Sequence, residues 1–262
     1  MAYPISATRL NLYKSCPQSY YFRYERGLKE QSAFGSPALG KAVHAALKDI
    51  YGDWNYGHPK PSLEWFELMW QAHTGDLSSK QVDDGWSMLK GYFEQFIEPY
   101  PSMNKPLGVE QGIKGKFQVR YIEFVVRGQY DRLDYIEDGL ELIDYKTTKQ
   151  MSPPDAIDIQ LGLYDLLLKQ VYGQALRKLS LIYLRSGEKK PYEVTPEHRR
   201  ESQRLIENLA MQLHREEEWR PQEGQQCDRC SYERYCAAKR EVPEPLPETA
   251  RKPKGMQLLL PL

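Results

Sequence analysis

The sequence lacks most of the bulk signals that would point to a partner. Its 36 lysines and arginines are matched by 36 aspartates and glutamates, so the formal net charge is zero. That excludes a chain-wide basic field for nucleic acid, and any such binding must come from a local patch. No apolar run reaches the ~18 residues of a membrane-crossing helix, so no membrane partner is expected. The opening M-A-Y-P-I-S-A-T-R-L has neither the basic region nor the apolar segment of a secretory signal. The expected location is therefore cytoplasmic. Cysteine is scarce, with four in 262 residues. In a reducing compartment this excludes a disulfide framework. There is no internal repeat, and no G-x-x-x-x-G-K-[ST] phosphate-binding loop. The length suits one large domain, or a core with an added subdomain.

What is present centres on residues 126–146, V-R-G-Q-Y-D-R-L-D-Y-I-E-D-G-L-E-L-I-D-Y-K. This reads as two strands joined by a tight turn at Asp138-Gly139. In that register Glu137 faces Leu140, Leu133 faces Asp144 and Asp131 faces Lys146. Side chains alternate along a strand, so Asp131, Asp144 and Lys146 share one face. Two carboxylates and an ammonium on one patch suit a hard cation such as Mg²⁺ or Mn²⁺. They equally suit a surface ion-pair ladder.

The cysteines have their own pattern. Cys227, Cys230 and Cys236 form C-x2-C-x5-C, and Cys16 stands more than 200 residues earlier in C-P-Q-S-Y-Y. Four thiolates can hold either zinc or an iron–sulfur cluster. Such a site would staple the two ends of the chain together.

Helices are expected from Ser6 to Pro17, from a Ser36-Pro37 start through Leu39, Val43, Leu47 and Ile50, over 62–73 and 79–97, over 155–172, and from Thr195-Pro196 to about Trp219. His44 lies on the flank of the second. Gln160 and Tyr164 sit one turn apart on the apolar 155–172 helix. Residues 107–126 and the K-L-S-L-I-Y-L run read as strands. The tail from Glu241 is rich in proline and charge, so an extended or disordered linker is expected. It ends in the apolar peptide G-M-Q-L-L-L-P-L. The expected divisions are 1–35, a core at 36–220 with a helical insertion near 60–100, a cysteine segment at 221–240, and the tail.

Taken in order, these segments resemble the RecB-type branch of the PD-(D/E)XK nuclease superfamily. They are most similar to its iron–sulfur members, which include the CRISPR-associated adaptation nuclease and the C-terminal nuclease domain of AddB. S-A-T-R-L-N-L-Y-K-S-C-P looks like that family's first-cysteine segment. G-K-A-V-H-A-A-L resembles its histidine helix, G-Q-Y-D-R-L-D its G-x-x-D-R-x-D motif, and E-L-I-D-Y-K its (D/E)-x-K motif. Q-L-G-L-Y resembles its Q-x-x-x-Y helix, and C-D-R-C-S-Y-E-R-Y-C its cluster segment.

The resemblance implies an α/β fold of the restriction-endonuclease type: a mixed central sheet flanked by helices. It implies a metal-dependent deoxyribonuclease, with exonuclease action on single strands or ends, in repair, recombination or replication. His44, Asp131, Asp144 and the Tyr145 carbonyl would hold Mg²⁺ or Mn²⁺, Lys146 would assist catalysis, and Gln160 and Tyr164 would position substrate. Cys16, Cys227, Cys230 and Cys236 would hold a 4Fe–4S cluster, with zinc the weaker expectation. DNA is the expected partner, with a helicase on a separate chain. Gln257, Leu258, Leu260 and Leu262 resemble a sliding-clamp binding peptide. A non-catalytic DNA-binding adaptor with a structural metal cluster is the alternative.

Overall fold

The computed structural model describes residues 3–29, 37–148 and 154–251. It divides into two compact units: Met1–Ser6 with Ser36–Ile206, and Ala7–Gly35 with Glu207–Leu262.

The first unit is built on a six-stranded mixed sheet: β1 (Tyr3–Ile5), β2 (Gly108–Val119), β3 (Ile122–Ile136), β4 (Gly139–Lys146), β5 (Leu176–Tyr183) and β6 (Glu188–Glu193). The order is β1-β3-β4-β5-β6, with β2 also paired to β3. The β2/β3, β3/β4 and β5/β6 pairs are antiparallel, and β1/β3 and β4/β5 are parallel. The parallel β4/β5 pair needs a crossover, and α6 (Pro154–Tyr172) supplies it. The edge strand β6 reads E-K-K-P-Y-E. Charge and proline there oppose pairing with another chain.

One face of the sheet carries α3 (Pro37–Gly52), α4 (Leu63–Gln71) and α5 (Ser79–Phe96). The α3 stripe Leu39, Val43, Leu47 and Ile50 is buried, as its spacing required. It shares a core with Phe66, Trp70, Leu89, Tyr92, Ile143 and Tyr145. A capping box between Ser78 and Gln81 starts α5. Ser36, the expected cap of α3, lies outside the described residues.

The β3–β4 register differs from expectation by two residues. Ile136 pairs with Gly139 and Leu133 with Leu142, so the turn is Glu137-Asp138 and Gly139 already belongs to β4. Gly139 has φ +155, which glycine adopts readily, and a Cβ there would stand 2.7 Å from the Ala175 carbonyl oxygen. The same oxygen accepts from Leu140 N–H at 3.1 Å. Close contact with the chain entering β5 thus outweighs the local turn preference. The next step of the ladder sets Asp131 level with Asp144 rather than with Lys146. A slip of two leaves each side chain on its own face, because the pleat repeats every two residues.

A second irregularity lies between β2 and β3. Val109 pairs with Arg132 and Gln111 with Tyr130, but Glu110 and Asp131 between them are unpaired, and Glu110 has φ +46. Gly128 abuts Tyr164 of α6, and Tyr130 shares a hydrogen bond with Tyr172 of α6 at 2.9 Å. Arg132 instead lies over the Tyr51 ring of α3 at 4.2 Å. Strict alternation would put 128, 130 and 132 on one face. The pleat therefore reverses at Asp131, a local twist of the kind that re-aims side chains beside sites.

In the second unit, α1 (Ala7–Ser15) and α2 (Pro17–Tyr20) lead into one wide helical turn, Tyr21–Glu25. Cys16 precedes Pro17, which opens α2 at the position where its missing N–H costs nothing. Trp219 stacks on Tyr20 with planes 2° apart and centroids at 5.7 Å. Tyr13 donates to Glu216 at 2.8 Å. The last long helix, α7 (Pro196–Arg215), contributes residues to both units. Residues 241–251 carry no helix or strand, as expected of the tail. They are nevertheless anchored, since Arg251 N–H donates to the Arg26 carbonyl at 2.8 Å. Among the described residues no helix is long and apolar enough to cross a membrane.

Candidate active site

The site forms where the β2–β3 ladder lapses. His44 rises from α3 beside the buried Val43. Its Nδ1 lies 3.0 Å from Glu110 Oε1 and 3.5 Å from Asp131 Oδ2. The ligand atoms of His44, Glu110 and Asp131 all fall within 4.8 Å of one another, the one such group among the described residues. Asp131 also accepts from the backbone N–H of Tyr145 at 2.7 Å, which fixes it against β4. Gln129 donates to the other Glu110 oxygen at 2.6 Å.

Asp144 and Lys146 project from β4 beside this group. The Lys146 ammonium lies 2.5 Å from Asp144 Oδ2. That buried oxygen is held by charge rather than by a well-directed hydrogen bond. The other oxygen accepts from Gln160 Nε2 at 2.8 Å. Tyr164 donates to the Gln129 carbonyl oxygen. A Cβ on Gly128 would stand 3.1 Å from the Tyr164 ring, which explains the glycine that opens G-Q-Y-D. Gln160 and Tyr164 thus bind the acids and their strand. The Tyr145 side chain points to the opposite face, and its phenol shares a 3.2 Å hydrogen bond with that of Tyr92.

Electrostatics follow from this crowding. Burial opposes a charge on His44, but hydrogen bonds to Asp131 and Glu110 outweigh it and raise the imidazole from 6.5 to about 10. Burial raises the Asp131 carboxyl, His44 draws it back, and Asp144 raises it again. Burial, then Asp144 and Asp131, push the Tyr164 phenol up, so it stays neutral and a donor. The raised imidazole leaves His44 positively charged between two carboxylates, where a divalent cation would otherwise balance the charge. Hard oxygen donors with one imidazole fit Mg²⁺ or Mn²⁺.

Glu110 was not found by sequence reasoning. It carries no motif, and only the pairing of β2 against β3 brings it level with Asp131. The one signal was an acid between Val109 and Gln111 in an otherwise strand-like run.

In the second unit the four cysteines are free thiols and line one small cavity of about 20 Å³. Gln222 N–H donates to Cys16 Sγ at 3.5 Å, and Ser19 Oγ lies 3.7 Å from Cys230 Sγ. Burial raises the Cys236 thiol, and the neighbouring Cys16 and Cys230 add to it. The peptide Gln257, Leu258, Leu260 and Leu262 lies outside the described residues.

A mixed sheet flanked by helices, with acids and a lysine gathered at a break in strand pairing, is the setting of a phosphodiester-cleaving enzyme. Residues 4–237 match the PD-(D/E)XK nuclease superfamily, and the chain belongs to that family. Among curated proteins it is 26% identical over 222 residues to one of the subunits of an ATP-dependent helicase/deoxyribonuclease of Carboxydothermus hydrogenoformans. That match covers 69% of this chain and 20% of the relative, so the chain spans about a fifth of the relative's length. Among solved structures it is similar to a candidate exonuclease from Eubacterium rectale, at a TM-score of 0.51 and 12% identity. The match covers 92% of this chain and 90% of that one, and what the two share is the fold.

Proposed function

We propose that this nuclease hydrolyses DNA with a divalent cation held by His44, Glu110, Asp131 and Asp144. The observation that carries this reading is the convergence of His44, Glu110 and Asp131 within 4.8 Å, with Asp144 and Lys146 alongside. The Tyr145 carbonyl is a further candidate ligand. When bound, the cation supplies Lewis acidity for water activation at neutral pH. Lys146 reaches the site beside Asp144 and would offset negative charge gathering on the phosphate oxygens. Gln160 orients Asp144, and Tyr164 fixes the strand segment whose Gln129 amide orients Glu110. The name of the helicase/deoxyribonuclease relative supports action on DNA and a helicase as partner, while action at ends or on single strands rests on the sequence resemblance alone. Repair, recombination or replication would be the setting. The reading of the terminal peptide as a sliding-clamp ligand rests on its sequence alone.

The test is digestion of end-labelled single- and double-stranded DNA with Mg²⁺ or Mn²⁺. Asp144→Ala and Lys146→Ala are each expected to lose about a hundredfold or more in rate. Variants that digest as fast as wild type would overturn the assignment.

We further propose that Cys16, Cys227, Cys230 and Cys236 hold a 4Fe–4S cluster with a structural role. Four free thiols around one cavity support it, and so do the N–H and O–H groups beside the Cys16 and Cys230 sulfurs.

A further inference from the structure

The face of the β2–β3 ribbon that leads away from the site carries two unmatched cations. Lys114 and Arg127 are cross-strand partners, and both are exposed. Neither forms an ion pair among the described residues, whereas the next cation along, Lys116, is held by Glu123 at 3.0 Å. Like charges set directly opposite each other on a ladder destabilise it. A bridging anion would reverse that effect.

The position of the pair says which anion. Lys114 is four residues along β2 from Glu110, and Arg127 is four along β3 from Asp131. At ~3.3 Å per residue that is ~13 Å from the acids. Arg127 shares its face with Gln129, whose amide holds Glu110. Across from Gln129 stands Gly112, where a Cβ would meet nothing within 4 Å. Among the described residues, Gly112 therefore puts no side chain between the cations and the acids, and a strand on this face would pass the Gln129 amide.

We propose that Lys114 and Arg127 form a docking point for the phosphate backbone of a single DNA strand, a few nucleotides from the scissile bond. The pair supplies locally the positive charge that the neutral chain lacks overall. A strand lying along the ribbon face would cross the pair and then reach the acids. This proposal rests on the nuclease reading above and adds where the strand runs.

The experiment compares wild type with K114Q/R127Q on two substrates: a long labelled single strand, and thymidine 5′-(p-nitrophenyl phosphate), which is too short to reach the pair. Expected for the variant is a KM on the long strand raised about tenfold, with kcat within about twofold and the small ester turned over at the wild-type rate. The dependence of log KM on log salt should flatten by ~1.4, at ~0.7 per lost single-strand phosphate contact. An unchanged KM and salt slope, with wild type active, would overturn the proposal. An equal loss on both substrates would overturn it too, by placing the effect at the chemistry. A wild type inactive on both substrates would overturn the nuclease reading itself.

Discussion

His44 stands between two carboxylates and, in cation-free protein, keeps its proton to about pH 10. An unfolded histidine releases it near 6.5. The group binds protons more tightly when folded, so its contribution to stability is complete below 6.5 and is lost as pH climbs toward 10. The melting temperature of protein stripped of divalent cations is therefore expected to fall between pH 6.5 and 10, and the fall should be shallower in His44→Ala. Parallel curves for the two proteins would show that the imidazole is not held as described. At this scale the motif residues were legible, since each sits in a recognisable string. Glu110 was not, because its role depends on a partner strand and on a backbone turned to φ +46.

The β3–β4 hairpin depends on a largely buried polar network on the face that packs against α3 and α5. Arg132 pairs with Asp134 through two hydrogen bonds and donates to the Tyr51 and Tyr92 hydroxyls. Tyr92 shares hydrogen bonds with Tyr51 at 2.6 Å and with Tyr145 at 3.2 Å. Arg132 adjoins Asp131, Tyr145 adjoins Asp144, and Tyr51 lies two turns after His44 on α3. The network thus ties together α3, β3 and β4, three of the four elements that carry the candidate ligands. Arg132→Met would leave the part-buried Asp134 without its cation, a loss of about 1–3 kcal/mol. Tyr92→Phe would leave neighbouring polar groups unsatisfied, at about 1–3 kcal/mol. Urea denaturation measures both, and a neutral Arg132→Met would show the pair to be dispensable. From the string alone Arg132 and Asp134 read as charges beside a site. Their burial follows from the reversed pleat, which alternation could not anticipate.

For the molecule as a whole, a cluster on Cys16, Cys227, Cys230 and Cys236 would join segments more than 200 residues apart. Closing so long a loop by a cluster restricts the unfolded chain strongly. Purified protein is expected to be coloured and to carry about four irons and four sulfides per chain. Cys230→Ser should lose the colour, and the second unit should then become the first target of limited proteolysis. One zinc per chain and no iron would overturn the cluster reading. By itself the sequence determined most element types, though not the short β1, and through its motifs, by resemblance, the α/β class and the residues expected to carry the chemistry. Those depend on local periodicity and on short motifs, which act over a few neighbouring residues. Only the tertiary structure decided the β3–β4 register, the reversal at Asp131, the arrival of Glu110 and the pairing of Lys114 with Arg127 beyond it. These arise where strands distant in sequence meet, and the energy that selects them comes from contacts no single segment contains.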